Sequence, residues 1–264
     1  ALLDQPLSPE LIGPPPPPLD FTEAIRFDAV RFRYTNDGPW VLDDVNLTIP
    51  FRSRFGIVGA TGSGKSTMLD LVMGLLTPTE GNLLVDGEPV TGRRVRAWRQ
   101  AIAHVPQSIY LADTTLAENI AFGVPRSKID MDRVRRAARQ AQIADFIEQS
   151  AGGYDLRVGE RGVRLSGGQR QRIGIARALY KEAKVLVFDE ATSALDSTTE
   201  LGVMDAIKGL AGDFTILLIA HRLTTVKHCE RIVELRQGRV VAQGTYDELL
   251  QNSSSFRQMA HAAG

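Results

Sequence analysis

The chain has 264 residues, of which 43% are hydrophobic and 23% are charged, a balance typical of a globular protein with a substantial core. Its 31 basic residues match its 31 acidic residues, which argues against a protein that binds nucleic acid through bulk positive charge, and we expect no nucleic-acid partner. Cys229 is the single cysteine, which excludes an internal disulfide and suits a reducing cytosol.

The N-terminal residues 1–24 are predicted to form a linker. They contain the proline run Pro14–Pro18, which favours an extended polyproline II spacer; a docking peptide for an aromatic groove is the alternative. No apolar stretch approaches the roughly 18 residues that a membrane helix needs, and no signal peptide is visible. Because the chain starts at Ala1, we expect it to be a fragment of a longer protein.

The residues after this linker predict strands and one helix. Apolar and polar residues alternate over residues 25–34 and 45–49, which indicates strands with one buried face. RFGIVG, residues 54–59, is a short strand that ends in glycine, and residues 65–75 are predicted to be helical. NLLVDG, residues 82–87, ends in an Asp-Gly pair, which is a strong signal for a tight turn between strands.

A helical block interrupts the strands in the middle of the chain. IAHVPQ, residues 102–107, is a short strand that Pro106 stops. Residues 116–149 are rich in alanine and arginine and are predicted to be mostly helical. Since strands precede and follow this block, the pattern predicts an α/β fold with inserted helices.

The C-terminal third predicts two buried strands, a hairpin and a helix. KVLVFDE and FTILLIAH, residues 184–190 and 214–221, are near-continuous apolar runs, as in strands buried on both faces of a parallel sheet. Residues 231–244 indicate a hairpin. Thr245–Glu248 matches a capping box, which places the start of a last helix there.

The segment GATGSGKST, Gly59–Thr67, matches the phosphate-loop motif in full and lies between a predicted strand and a predicted helix. Its glycines let the backbone approach phosphate oxygens, and the helix N-terminus favours an anion. Lys65 can bring a charge to the β- and γ-phosphates, and Ser66 can offer its hydroxyl to Mg²⁺. The motif therefore predicts ATP and Mg²⁺ as ligands, through Gly59, Thr61, Gly62, Ser63, Gly64, Lys65, Ser66 and Thr67.

Polar residues at the ends of later strands supply the rest of a catalytic site. Asp189 follows four apolar residues and can hold Mg²⁺ directly or through water. Glu190 can accept a proton from an attacking water or orient it; a solvated acidic pair is the alternative. A lone histidine is usually structural, but the position of His221 at the end of a parallel strand favours contact with the γ-phosphate.

These motifs together resemble the nucleotide-binding domain of ABC transporters. LSGGQ, Leu165–Gln169, is the signature of that family, and the resemblance also rests on Gln107 and on Ser193–Asp196. It covers nearly all of residues 25–250. The family implies a P-loop NTPase core with a mostly parallel sheet, an N-terminal antiparallel β subdomain and an inserted helical subdomain that carries the signature. By this resemblance, the helical subdomain spans about residues 108–180, and residues 251–264 form a C-terminal tail.

The resemblance also implies a head-to-tail dimer. Each ATP would lie between the phosphate loop of one copy and the LSGGQ segment of the other, at two equivalent sites. The signature lies at a predicted helix N-terminus, which suits a γ-phosphate. Ser193–Asp196 is the loop that crosses the dimer interface. The residues that would contact nucleotide across this interface are Ser166, Gly167, Gly168, Gln169 and Asp196.

Other roles follow from the same resemblance. Tyr34 is similar to the aromatic residue that stacks on adenine, with Trp40 as the fallback; stacking tolerates base identity, so use of GTP stays open. Gln107 would reach Mg²⁺ or water and sense the membrane domain. VGERG, Val158–Gly162, is similar to a segment typical of exporters that touches the intracellular loops of the membrane helices.

We expect the chain to be the ATPase domain of an exporter that acts at the cytoplasmic face of a membrane. The fragment itself is expected to be soluble, and its expected partners are a second copy and a transmembrane domain. The alternatives are the ATPase subunit of an importer and a soluble ABC ATPase. A single cassette without sustained heptads argues against the soluble proteins, and the proline-rich linker argues against the importer. The segment of residues 105–123 resembles sequences found in half-transporters that move lipids, lipid-linked glycans or peptides. Whether the partner copy is identical stays open.

Overall fold

The computed structural model describes residues 14, 16–189, 197–210, 212–220 and 222–262. Two compact units divide the chain: one comprises residues 1–51, 59–102 and 234–242, and the other comprises residues 52–58, 103–233 and 243–264. The strands are β1 Ala24–Phe32, β2 Leu42–Pro50, β3 Arg54–Val58, β4 Glu80–Val85, β5 Glu88–Pro89, β6 Ile102–Val105, β7 Val185–Asp189, β8 Thr215–Ile219, β9 Arg231–Arg236 and β10 Arg239–Gly244. The α-helices are α1 Lys65–Val72, α2 Arg93–Ala101, α3 Leu116–Ile120, α4 Met131–Gln140, α5 Ala144–Gln149, α6 Gly167–Tyr180, α7 Ser197–Lys208, α8 Leu223–Val226, α9 Tyr246–Asn252 and α10 Ser254–Ala262.

The first unit contains a four-stranded sheet in the order β2-β1-β4-β5, and its neighbouring strands are antiparallel. The predicted alternation is confirmed, because Ile25 and Phe27 are buried in β1. The alternation of buried and exposed residues then shifts by one residue. The pairing register with β2 changes after Phe27, Ala29 has a φ of 47°, and Val30 is buried. A β-bulge therefore lets this strand keep one apolar face.

The helix that follows the phosphate loop ends earlier than predicted. α1 ends at Val72, and the next residues close the helix through a hydrogen bond from the Leu75 amide to the Asp70 carbonyl. The indole of Trp98 in α2 donates to the Val72 carbonyl at 2.6 Å. Because this indole is fully buried and satisfies a carbonyl at the helix end, α2 caps α1 and fixes its C-terminus.

A second sheet has six strands in the order β10-β9-β3-β8-β7-β6. β3 and β7 each pair in parallel with β8, and Val187 lies opposite Leu217. All five residues of β8 are buried, as predicted from its continuous apolar run. The α/β class, with an antiparallel β part and a parallel-rich sheet, is therefore confirmed.

The predicted helical block consists of several short helices. α3, α4 and α5 occupy residues 116–149, with non-helical segments around Gly123 and Gln142. The longest helix in the described part of the second unit is α6, with 14 residues. The capping box at Thr245 is confirmed as the start of α9, and α10 lies within the predicted C-terminal tail. Among the described residues, each helix is too short or too polar to cross a membrane.

Candidate functional site

The phosphate loop of the first unit has three glycines in positive-φ conformations, and they differ in their surroundings. A Cβ on Gly59 would fall well inside contact distance of the Leu235 carbonyl oxygen. A Cβ on Gly62 would meet nothing within 4 Å. Packing of the protein therefore requires glycine at position 59, whereas position 62 has an open face that a ligand can approach.

Two polar groups of this loop are buried. Lys65 is 6% exposed, and its ammonium group donates to the carbonyl oxygens of Gly59 at 2.8 Å and Ala60 at 3.0 Å. The Ser63 hydroxyl is buried and has no hydrogen-bond partner among the described residues. A phosphate fits this arrangement, because its oxygens would accept from the hydroxyl, the ammonium group and the amides at the start of α1. Ser66 is exposed at the same helix end, within reach of solvent and ligands.

The two aromatic candidates for adenine stacking have different environments. Tyr34 is 64% exposed, packs edge-on against Phe32, and places its phenolic oxygen 3.1 Å from the Thr67 hydroxyl. Trp40 is half-buried and has the guanidinium of Arg33 4.6 Å from its ring centroid. Since a cation already lies over Trp40, the ring of Tyr34 is the one that is open to a base.

The signature segment of the second unit forms the N-terminus of α6. Ser166 is the N-cap, its hydroxyl accepts from the Gln169 amide at 3.2 Å, and the Gln169 side chain accepts from the Ser166 amide at 2.8 Å. Ser166 is exposed and Gly168 is buried. The capping box holds the serine at the positive end of a 14-residue helix, a position that favours an anionic partner.

The structure describes only part of the predicted catalytic set. Asp189 is half-buried at the end of β7, opposite Ile219 at the end of β8, and Gln107 is exposed just after Pro106. The predicted residues Glu190, Ser193–Asp196 and His221 lie outside the described residues. Thus the two strand-end residues of this set that the structure describes are Gln107, shortly after β6, and Asp189, at the end of β7.

Sequence reasoning missed two residues of the second unit, Asn119 and Arg177. Asn119 is fully buried, and Arg177 donates to it from α6. Burial lowers the pKa of the Arg177 guanidinium from its ordinary value. A signal was present in the sequence for Arg177, which interrupts the apolar stretch of residues 173–180, whereas Asn119 follows the charged Glu118 and gives no such signal.

Known proteins resemble this chain in sequence. The family model described as ABC transporter matches residues 42–193. The ATP-dependent lipid A-core flippase of Cupriavidus metallidurans is 43% identical over 251 residues, which make up 94% of this chain and 42% of that protein. The leukotoxin translocation ATP-binding protein of Mannheimia glucosida is 44% identical over 90% of this chain and 33% of its own length.

A solved structure agrees with these sequence matches. A bacterial Atm1-family ABC exporter with ATP bound matches with a TM-score of 0.83 and 39% identity. The match covers 94% of this chain and 44% of the exporter chain. The chain therefore spans less than half the length of the relatives that it matches.

Proposed function

The chain belongs to the ABC transporter family, and we propose that it is the ATP-binding and ATP-hydrolysing domain that powers substrate export across a membrane. The relatives and the matched structure support the exporter type, since they are named as a flippase, a toxin translocation protein and an exporter. A transmembrane domain of the same transporter is the proposed partner. The domain would act at the cytoplasmic face of the membrane.

The observation that carries the proposal is the open phosphate loop of the first unit. Gly62 faces open space, Ser63 holds a buried hydroxyl without a partner among the described residues, and Lys65 is buried beside the loop carbonyls. ATP supplies the phosphate oxygens that such a loop lacks. On binding, we expect the Lys65 ammonium group to move from the carbonyls to the β- and γ-phosphates.

Hydrolysis needs further residues. Ser66, Gln107 and Asp189 are the proposed Mg²⁺ ligands, directly or through water, and the ion neutralises phosphate charge when bound. Glu190 orients the attacking water and accepts its proton, and His221 donates a hydrogen bond to the γ-phosphate. Their strand-end placement in the sequence supports these roles, because ligands of open α/β sheets bind at the carboxyl ends of strands.

The signature segment is proposed to complete the site of a second copy. Ser166 is exposed at the positive end of α6, and Gln169 holds its hydroxyl in place. A γ-phosphate bound in another copy is a suitable partner for this helix end. In this arrangement each copy has half of each site, and ATP closes the dimer with Asp196 at the interface.

Mixing two inactive variants tests this arrangement. Lys65→Ala removes the phosphate-loop cation, and Ser166→Arg blocks the signature, so each variant alone should lack ATPase activity. In their heterodimer, one site combines the intact phosphate loop of one copy with the intact signature of the other. A 1:1 mixture should therefore recover up to about a quarter of the wild-type activity, if copies exchange at random and sites act independently.

A matched control uses two variants of the same half-site. Lys65→Ala and Glu190→Gln both damage the side of the site that one copy supplies, so their mixture should stay inactive. Activity in the Ser166→Arg variant alone would contradict a role for the signature across the dimer. Equal recovery in both mixtures would contradict the head-to-tail arrangement.

A further inference from the structure

One face of the signature helix α6 packs against the segment that comes after β6 in the chain. Gln171, Gly174 and Arg177 are three residues apart and therefore lie on the same side of the helix. The Gln171 side chain, which is 3% exposed, donates to the Pro106 carbonyl at 3.3 Å. A Cβ on Gly174 would lie 2.5 Å from the terminal methyl of Ile109, so the helix and the segment are in close contact there.

Arg177 makes the most extensive contact of this face. Its Nε donates to the Asn119 carbonyl at 2.9 Å, its Nη1 to the Tyr110 carbonyl at 3.1 Å, and its Nη2 to the Asn119 side-chain oxygen at 3.4 Å. The guanidinium also lies 4.4 Å from the ring centroid of Phe122. One side chain thus contacts Tyr110 before α3, Asn119 within α3 and Phe122 after α3.

Asn119 extends this contact into the loop before α3. Its side-chain oxygen accepts from the Ala112 amide at 3.0 Å, and its side-chain nitrogen donates to the Ala112 carbonyl at 3.0 Å. The same nitrogen lies within hydrogen-bond distance of the Thr114 hydroxyl and the Thr115 carbonyl. A fully buried amide that satisfies both ends of a loop holds that loop in one conformation.

We propose that Arg177 is a positioning residue that joins the signature helix to residues 106–122, so that Ser166 and the segment after Gln107 are displaced together. This inference rests on the proposed function, in which Gln107 is a Mg²⁺ ligand and Ser166 contacts the ATP of a second copy. The planar guanidinium is required because it presents several donors in a fixed geometry. Lysine keeps the charge and cannot reach the same three acceptors from one position.

Hydrogen exchange of the whole chain tests the physical part of the proposal. Arg177→Lys should make the amides of residues 108–119 exchange about tenfold faster, above all the Ala112 amide, while the amides of α1 stay unchanged. Arg172→Lys is the matched control, because Arg172 lies on the same helix and donates instead to the Gln142 carbonyl at 2.9 Å. The control should leave residues 108–119 protected.

Uniformly faster exchange in Arg177→Lys would mean a general loss of stability, and unchanged exchange in residues 108–119 would mean that the contact holds nothing in place. Either result overturns the proposal. Gln171→Met is a second variant that removes the contact with Pro106 and keeps the side-chain volume similar. It should speed up amide exchange in residues 106–110 and leave the Ala112 amide protected. The opposite pattern would contradict the assignment of the Pro106 contact to Gln171 and of the Ala112 loop to Arg177.

Steady-state kinetics then test the functional part. Arg177→Lys should lower kcat by about 10- to 100-fold and change the KM for ATP by less than about twofold, because the phosphate loop is intact. If Arg177 acts through the segment after Gln107, then Arg177→Lys and Gln107→Ala should not be multiplicative in a double-mutant cycle on kcat.

Multiplicative effects, or a change confined to KM, would overturn the positioning role. Failure of the proposed function would appear differently, as a wild-type chain that does not hydrolyse ATP while the exchange pattern still responds to Arg177→Lys.

Discussion

The phenolic oxygen of Tyr34 lies 3.1 Å from the hydroxyl oxygen of Thr67, so an exposed aromatic ring is tied to the last residue of the phosphate loop. The ring also packs edge-on against Phe32, with centroids 4.9 Å apart. These two contacts limit rotation of the side chain. The face that would stack on a base is therefore oriented before nucleotide arrives, which lowers the entropic cost of binding.

Tyr34→Phe should separate orientation from stacking. The variant keeps the ring and loses the hydrogen bond to Thr67, so the Kd for ATP should rise about two- to fivefold. The Kd for inorganic tripolyphosphate, which has no base, should not change in isothermal titration calorimetry. Tyr34→Ala should weaken ATP further, by about 1–3 kcal/mol, because stacking is lost as well. Equal weakening of tripolyphosphate would contradict a base-stacking role.

Gly59→Ala and Gly62→Ala should have different consequences. Both positions have positive φ, which costs about 1–2 kcal/mol for alanine, and chemical denaturation should show at least this loss in both. Gly59→Ala should lose clearly more, because the new methyl group also meets the Leu235 carbonyl oxygen and the Ser63 hydroxyl.

Gly62→Ala should instead lose ATP affinity, because its methyl group occupies the open face of the loop. Both the denaturation midpoint and the Kd for ATP are needed for this comparison. Similar midpoints for the two variants would show that the contact with Leu235 does not constrain the loop.

Glu190→Gln should bind ATP but hydrolyse it very slowly. Turnover should fall about 100-fold or more, since a neutral amide cannot accept the proton of the attacking water. With hydrolysis blocked, the closed dimer should accumulate in ATP and appear by light scattering after size-exclusion chromatography. Lys65→Ala is the control and should stay monomeric under the same conditions. Wild-type turnover of Glu190→Gln would remove Glu190 from the catalytic role.

The Cys229 thiol should be unreactive in the folded protein at pH 8. It is 7% exposed, and burial raises its pKa to about 12. Because the folded state binds the proton more tightly than the unfolded state, this group's contribution to stability is intact below about pH 8.5. It is lost as the pH rises through the folded-state pKa of about 12. A thiol reagent should label the native chain slowly and the denatured chain at once; rapid native labelling would contradict this burial.

Local patterns in the sequence predicted much of this protein. The phosphate loop, the caps at Ser166 and Thr245 and the buried run of β8 each depend on residues that are near one another in the chain. Such features follow from local backbone geometry and from the period of apolar residues, so they can be recognised without a structure. The bulge at Ala29 is an exception, because it changes the period inside one strand.

Tertiary structure alone decided which distant residues meet. The contacts of Tyr34 with Thr67 and of Asn119 with Arg177 join positions 33 and 58 residues apart. The structure also shows that the Arg33 guanidinium lies over Trp40, which the sequence pattern did not specify and which favours Tyr34 as the open ring. The physical reason is that hydrogen bonds and packing depend on separation in space, and a periodic pattern specifies only which face of an element is buried.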